Sequence, residues 1–171
     1  MTDATRISAL VIDDNVHMRS ILMSLLHAVG VQETRQASDG TEAMKILMAW
    51  QPTFLVLDQN MQPMNGTAFA KKLRLSQATF CSEIPIIMLT AHTERAMVET
   101  ARDAGIDEIL AKPISTKALL QRLNAIMNDR RPFVRAGKYA GPDRRRHKTD
   151  NGYAGPKRRI DDRDEDTFDL D

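Results

Sequence analysis

Short apolar segments alternate with longer amphipathic ones along the first 130 residues of the chain. Four of the short segments are almost entirely apolar, which is typical of buried strands, and a fifth is weaker and more polar. The predicted strands cover residues 7–12, 33–37, 54–57, 85–90 and 108–111. The segments between them carry apolar residues at helical spacing. The predicted helices cover residues 16–29, 40–50, 67–75, 93–105 and 115–130.

Residues at the ends of the amphipathic segments support the predicted helix boundaries. Apolar side chains recur at helical spacing from Met18 to Val29, and Gly30 ends this helix. Ser115 or Thr116 is a suitable N-cap for the last helix. Five strands alternating with five helices in fewer than 130 residues predict an α/β fold, in which a parallel sheet is covered by helices on both faces.

The alternating pattern ends near residue 130, and the charge distribution changes with it. Residues 130–159 contain 11 basic and 2 acidic residues, whereas residues 160–171 contain 7 acidic residues and one arginine. Such segments bury too little apolar surface to offset the entropy lost on ordering. We therefore predict a folded domain over residues 1–130 and a disordered tail over residues 131–171, arginine-rich first and acidic at its end.

Cysteine content and hydropathy bear on the cellular compartment. A single cysteine, Cys81, cannot form an internal disulfide and suits a reducing environment. The apolar run near the N-terminus is too short for a secretory signal, and no stretch is long enough to span a membrane. We expect a soluble protein of the cytoplasm with no membrane insertion.

Polar residues stand at the carboxyl ends of four of the predicted strands. Asp13 and Asp14 follow the first strand, Asp58 follows the third, Thr90 ends the fourth and Lys112 follows the fifth. Ligands of open parallel sheets bind beyond the carboxyl ends of the strands. Three carboxylates in one crevice repel each other unless a cation lies among them, and an all-oxygen ligand set suits Mg²⁺. The lysine and the threonine hydroxyl would complete a pocket for phosphoryl oxygens.

Each of these residues has an ordinary alternative role. An aspartate pair after a strand often caps a helix, and a single aspartate such as Asp58 often opens a turn. Thr90 could cap the following helix, and a lysine before proline is usually on the surface. The joint placement at four strand ends favours the shared site.

Four segments carry a resemblance to a known family: "LVIDDN", "LVLDQNMQPMNG", "IIMLTA" and "AKPI". With them, residues 5–128 resemble a receiver domain of the bacterial response regulators, close to the single-domain CheY type. The resemblance implies a flavodoxin-like (βα)₅ fold, a doubly wound sheet with strand order 2-1-3-4-5. It also implies a phosphoacceptor that assists its own phosphoryl transfer, and not an enzyme.

The same resemblance implies roles for individual residues. Asp58 corresponds to the phosphorylated aspartate, with a phosphohistidine of a partner histidine kinase as donor. Asp14 corresponds to a direct Mg²⁺ ligand, Asp13 to one that acts mostly through water, and Asn60 to a ligand through its backbone carbonyl. Thr90 and Lys112 correspond to the pair that grips the phosphoryl group, and the Lys112–Pro113 peptide bond would be cis. Mg²⁺ and the lysine would neutralise charge on the transferring group.

Two positions depart from the family pattern. An aromatic residue usually lies three positions before the lysine, where this chain has Ile109, which we interpret as an apolar strand residue. The proline after the phosphorylated aspartate, Pro63, comes one position later than usual, although the loop length to Gly66 is kept. A target protein would dock on the face formed by the fourth helix, the fifth strand and the fifth helix.

The tail contains a repeat. Tyr-Ala-Gly-Pro, one variable residue and then Arg-Arg begins at Tyr139 and again at Tyr153. Each copy offers a ring and guanidinium groups, which stack on bases, bind phosphate and contact guanine bidentately. Cyclic di-GMP, particularly as a stacked dimer, would suit such a duplicated motif. The predicted ligand residues are Tyr139, Arg144, Arg145, Arg146, Tyr153, Arg158, Arg159 and Asp162.

The tail also resembles the arginine-rich extension of the Cle-type CheY-like regulators, which implies cyclic di-GMP binding and a target such as the flagellar motor. Two alternatives stay open. The protein could be a phosphorylation-dependent binding module with a passive tail, or a regulator that binds nucleic acid through the basic tail. The acidic residues near the C-terminus disfavour nucleic acid, because they would repel a polyanion.

Overall fold

A five-stranded parallel sheet forms the centre of the computed structural model, which describes residues 6–76 and 79–144. Its strand order is β2-β1-β3-β4-β5, so the predicted doubly wound fold is confirmed. The order reverses beside β1, which places the crevice between the carboxyl ends of β1 and β3. The strands are β1 Ser8–Ile12, β2 Glu33–Ala37, β3 Phe54–Asp58, β4 Ile86–Thr90 and β5 Glu108–Ala111.

The helices follow the predicted pattern with one addition. They are α1 Val16–Ala28, α2 Gly40–Ala49, α3 Gly66–Arg74, α4 Thr79–Ser82, α5 Arg95–Asp103 and α6 Thr116–Asn128. The four-residue α4 is the helix that the apolar periodicity does not predict. Ser115 is the N-cap of α6, where its side chain accepts a hydrogen bond from the Ala118 amide. Among the described residues, no helix combines the length and the apolar character needed to cross a membrane.

Two hydrophobic cores lie on opposite faces of the sheet. Leu10, Leu55 and neighbouring strand residues pack with α2, α3, α4 and α5 on one face. Ala9, Val56 and the other alternate residues pack with α1 and α6 on the second face. Because β1, β3 and β4 are covered on both sides, they are apolar almost throughout and are fully buried. The polar residues at their carboxyl ends are thereby held in a rigid frame.

A β-hairpin follows α6 and corrects the predicted domain boundary. β6 (Phe133–Ala136) and β7 (Tyr139–Pro142) pair antiparallel around Gly137, whose positive φ of 57° suits the tight turn. The prediction of a disordered tail from residue 131 is therefore wrong for residues 131–144. A short hairpin that could not fold alone can fold when it packs on a domain that is already formed, because the domain supplies most of the buried surface. Residues 145–171, with the second copy of the repeat, lie outside the described residues.

Candidate functional site

Three carboxylates meet at the carboxyl ends of β1 and β3. Asp13 and Asp14 follow β1, and Asp58 is the last residue of β3. One oxygen of each carboxylate lies within 4.8 Å of the corresponding oxygens of the other two. Asp13 and Asp58 are buried, whereas Asp14 is exposed. The structure thus brings together the acidic residues that the strand pattern singles out.

Local hydrogen bonds fix the two carboxylates after β1. Asp13 Oδ1 accepts a hydrogen bond of 2.8 Å from the Asn15 amide. Asn15, not the aspartate pair, is the N-cap of α1. Asp14 Oδ2 accepts a hydrogen bond of 3.2 Å from the Gln62 amide, which ties it to the loop after Asp58. Capping thus does not account for the aspartate pair, and both carboxylates remain directed towards the strand ends.

The loop after Asp58 folds back at a glycine. The Gly66 amide donates a hydrogen bond of 2.9 Å to the Gln59 carbonyl. A Cβ atom at residue 66 would lie 2.3 Å from the Asp58 carbonyl oxygen, so any side chain there would displace the backbone beside the carboxylate. Gly66 therefore positions Asp58, a role that its place in the sequence motif does not explain by itself.

Lys112 reaches the acidic cluster from the end of β5. Its Nζ lies 2.8 Å from Asp58 Oδ1 and 4.0 Å from Asp13 Oδ2. The following peptide bond, Lys112–Pro113, is cis, as the family resemblance implies, and the Gln62–Pro63 bond is also cis. The ammonium group offsets part of the negative charge that the three carboxylates gather.

One carboxylate oxygen has no hydrogen-bond partner among the described residues, and Lys112 Nζ comes no closer to it than 4.0 Å. Within the described part of the chain, Asp13 Oδ2 is the one buried side-chain nitrogen or oxygen atom without a hydrogen bond. Burial raises the pKa of Asp13, because a charged carboxylate loses hydration there. A buried oxygen without a donor is costly unless a cation or another donor reaches it. The three carboxylates therefore suit a hard divalent cation that takes oxygen ligands.

Thr90 and Asn60 are near the site, but neither side chain contacts the carboxylates in the described hydrogen bonds. Thr90 is buried at the end of β4, and its hydroxyl donates to the His92 carbonyl and accepts from the His92 amide, both at 3.0 Å. The N-cap of α5 is Glu94, so Thr90 does not cap that helix. Asn60 is exposed two residues after Asp58. Ile109 is a half-buried residue of β5 that packs on a core, as the sequence suggested.

Two of the predicted nucleotide-binding residues lie in or beside the hairpin. The Tyr139 hydroxyl donates a hydrogen bond of 2.6 Å to the Pro142 carbonyl. The Arg144 guanidinium lies 4.0 Å from the centroid of the Tyr139 ring and 3.1 Å from Asp103 Oδ1. These side chains are thus held against the domain. The other six predicted ligand residues lie outside the described residues: Arg145, Arg146, Tyr153, Arg158, Arg159 and Asp162.

The sequence does not indicate the buried arginine that lies near the amino ends of β4 and β5. Arg74, the last residue of α3, is 1% exposed. It donates hydrogen bonds to the carbonyls of Gly105, Ser82 and Ile84, and it forms an ion pair of 2.8 Å with Asp107. A basic residue at the end of a helix usually lies on the solvent-exposed surface. The residues around Arg74 in the sequence do not indicate that it is buried.

Comparisons with known proteins agree with this geometry. Residues 9–124 match the model of the response regulator receiver domain. The chain is 38% identical over 119 residues to the chemotaxis protein CheY1 of Helicobacter pylori, an alignment that covers 69% of this chain and 94% of that protein. The structure of CheY4 of Vibrio cholerae superposes with a TM-score of 0.66 at 27% identity, over 72% of this chain and all of that one.

A second solved structure is similar in fold alone. The receiver domain of the sensor histidine kinase PA1611 of Pseudomonas aeruginosa, described with a magnesium ion coordinated in its active-site cleft, has a TM-score of 0.61. It is 22% identical, and the match covers 68% of this chain and 93% of that one.

This chain belongs to the response regulator receiver family and is of the CheY type. CheY-like receivers are phosphoacceptor regulators without enzymatic activity of their own, as predicted. The family match ends at residue 124, before the hairpin begins. The hairpin is therefore an addition to the matched receiver domain.

Proposed function

We propose that this protein is a response regulator in which Asp58 accepts a phosphoryl group from a phosphohistidine of a partner histidine kinase. The contact of 2.8 Å between Lys112 Nζ and Asp58 Oδ1, within a cluster of three carboxylates, is the observation that carries this proposal. The protein acts in the cytoplasm, where a kinase of this class would present its phosphohistidine.

Mg²⁺ is the cation that we assign to the acidic cluster. Asp14, Asp58 and the backbone carbonyl of Asn60 would hold it together with Asp13, which would act mostly through water. The buried Asp13 Oδ2 would then gain the hydrogen bond that it lacks among the described residues. When bound, magnesium neutralises charge on the phosphoryl oxygens. The magnesium ion described in the cleft of the Pseudomonas receiver domain supports the assignment.

The phosphoryl transfer itself requires only a few side chains of the protein. An oxygen of Asp58 attacks the phosphorus atom, the bond from phosphorus to the histidine nitrogen breaks, and an acyl phosphate forms. Lys112, already beside that carboxylate, neutralises charge on the transferred group. Thr90 reaches the phosphoryl group only if its hydroxyl leaves the His92 backbone, so phosphorylation changes the chain at the end of β4.

Acetyl phosphate, a small phosphoryl donor, tests this assignment. With Mg²⁺ we expect the wild-type protein to gain the mass of one phosphoryl group, whereas Asp58→Asn gains none because an amide is not a competent nucleophile. Asp129→Asn removes an exposed acid far from the cluster and should be modified like the wild type. Intact-mass spectrometry with and without EDTA makes the measurement. Equal modification of Asp58→Asn and wild type would contradict the proposal.

The surface that we assign to target binding lies on α5, β5 and α6, which correspond to the fourth helix, the fifth strand and the fifth helix predicted from the sequence. A cleft of about 280 Å³ lies there, lined by residues that include Thr93, Ile109 and Arg122. Thr93, which lines the cleft, lies three residues after Thr90 in the chain. A conformational change at the end of β4 would therefore extend to the cleft. We propose this face as the docking site of a target protein such as a component of the flagellar motor.

We further propose that the arginine-rich segment binds cyclic di-GMP. Guanine presents O6 and N7 to bidentate arginine, and its ring stacks on tyrosine and guanidinium planes. The contact of Arg144 with the Tyr139 ring supports this, because it already pairs a guanidinium with the aromatic face of the motif. Binding a base at this ring would require Arg144 to move.

Substitutions in the second copy test this binding by calorimetry. Replacing Arg158 and Arg159 with alanine should weaken cyclic di-GMP binding more than tenfold, since each bidentate contact contributes roughly 1–3 kcal/mol. Replacement with lysine should not restore affinity, because an ammonium cannot form the planar pair of hydrogen bonds. Lys117→Ala, which removes an exposed charge on α6, serves as the control. Full affinity in the lysine variant, with single-stranded nucleic acid competing equally well, would contradict guanine recognition.

A further inference from the structure

The first copy of the repeat packs on a defined surface of the receiver domain. We call it the motif-binding surface; it consists of Arg74, Asp103 and Gly105. A Cβ atom on Gly141 would lie 2.6 Å from Gly105 Cα, and one on Gly105 would lie 2.7 Å from the Ala140 carbonyl oxygen. The two backbones touch, and Ala140, Gly141 and Pro142 are buried in the contact. Glycine in the motif is therefore required by the fit.

The other contacts also come from residues of the motif. The Tyr139 hydroxyl closes the turn by donating to the Pro142 carbonyl. Arg144 covers the Tyr139 ring and forms its ion pair with Asp103 of the motif-binding surface. The variable residue, Asp143, takes part through its backbone: its amide donates to the Pro132 carbonyl, and its carbonyl accepts from Arg131.

The second copy carries the same contact residues in the same order. Tyrosine, alanine, glycine, proline and the arginine two residues later recur as Tyr153, Ala154, Gly155, Pro156 and Arg158. The variable residue is Lys157, which offers the same backbone amide and carbonyl. The segment before the second copy has no counterpart of Phe133 in its sequence, since His147 takes the corresponding position. The strand available for the second copy to pair with is therefore β6.

We propose that residues 153–158 are an alternative occupant of the motif-binding surface, where they replace β7 beside β6. Either copy can then occupy the motif-binding surface. The copy that does not occupy it exposes its arginines to a ligand. The inference does not depend on which ligand binds. A loop of two residues joins β6 to the first copy, whereas sixteen residues would join it to the second. Loop closure thus favours the first copy roughly twentyfold, and the second occupies the surface when the first is withdrawn.

Amide spectra of full-length protein labelled with ¹⁵N test the exchange. The reporters are Gly105, which belongs to the motif-binding surface, and Asp107 beside it, whose carbonyl accepts a hydrogen bond from Arg131. Ala140→Asp with Gly141→Val prevents the first copy from docking, because both residues are buried in the contact. Ala154→Asp with Gly155→Val is the matched change in the second copy. Each pair alone should leave the reporter signals close to those of wild type, since the intact copy covers the surface. All four substitutions together should shift both signals.

An internal control for folding accompanies each of these outcomes. The amide of Ala9 in β1 reports that the sheet stays folded in every variant. Equal shifts in the first-copy variant and in the fourfold variant would overturn the proposal, because the second copy would then fail to bind. A fourfold variant with wild-type signals would overturn it too, since neither copy would be needed. Reporter signals in the first-copy variant that depend on protein concentration would indicate docking on a second molecule, which also contradicts the exchange.

Discussion

Replacing Arg74 with methionine is expected to lower the free energy of unfolding by roughly 3–5 kcal/mol, the usual cost of removing one partner of a buried ion pair. The change leaves the Asp107 carboxylate without its ion-pair partner and removes the donor from the carbonyls of Gly105, Ser82 and Ile84. Equilibrium unfolding in urea, followed by circular dichroism, gives the difference from wild type.

A neighbouring cation provides the control for this substitution. Lys72→Met removes a positive charge from the exposed face of the same helix and should change stability by less than about 1 kcal/mol. Arg74→Lys should recover only part of the loss, because an ammonium group cannot reproduce the forked set of hydrogen bonds. A loss below about 1 kcal/mol in Arg74→Met would show that the buried network is not a main support of the fold.

Gly66→Ala is expected to slow phosphorylation of Asp58 roughly a hundredfold, the scale that a displacement of about 1 Å can cost at a reacting group. The added methyl group would lie 2.3 Å from the Asp58 carbonyl oxygen, so the backbone that carries the carboxylate must move. The rate of mass gain with acetyl phosphate and Mg²⁺ measures the effect.

Gly30→Ala separates misplacement of Asp58 from a general loss of stability. Gly30 has a φ of 96°, and a Cβ atom added there would have no neighbour within 4 Å, so alanine costs about 1–2 kcal/mol through the backbone alone. Phosphorylation of this variant should proceed at the wild-type rate. If both glycine variants were phosphorylated at the wild-type rate, the close approach of Gly66 to Asp58 would have no bearing on function.

The sheet and its acidic cluster can be predicted from the sequence because each strand and the polar residue at its end lie within one short segment of the chain. A strand buried on both faces is an uninterrupted apolar run, and the residue that ends it is polar where the chain leaves the core. Asp13, Asp58 and Lys112 each stand at such a boundary, and the topology of a doubly wound sheet brings those boundaries to one edge. Pattern and topology together therefore predict which side chains meet, although not the distances between them.

Features that depend on tertiary contacts could not be predicted in this way. The hairpin over residues 133–142 is too short to bury a core of its own, and it packs on the domain because Gly105 and Gly141 let the two backbones touch. Arg74 is buried by that same hairpin and by the ends of β4 and β5, which are far away in sequence. The hydrogen bonds of Thr90 with the His92 backbone likewise depend on the path of a loop. Composition alone thus suggested a disordered tail where part of it is folded.

Reduction of the phosphorylated protein with borohydride, followed by peptide mapping, tests the central claim most directly. An acyl phosphate on aspartate is reduced to homoserine, so the reaction marks the acceptor residue itself. After treatment with acetyl phosphate and Mg²⁺, we expect homoserine at position 58, and none when EDTA is present. Homoserine at Asp13, Asp14 or any other acid, with an unmodified Asp58, would contradict the assignment of Asp58 as the phosphoryl acceptor.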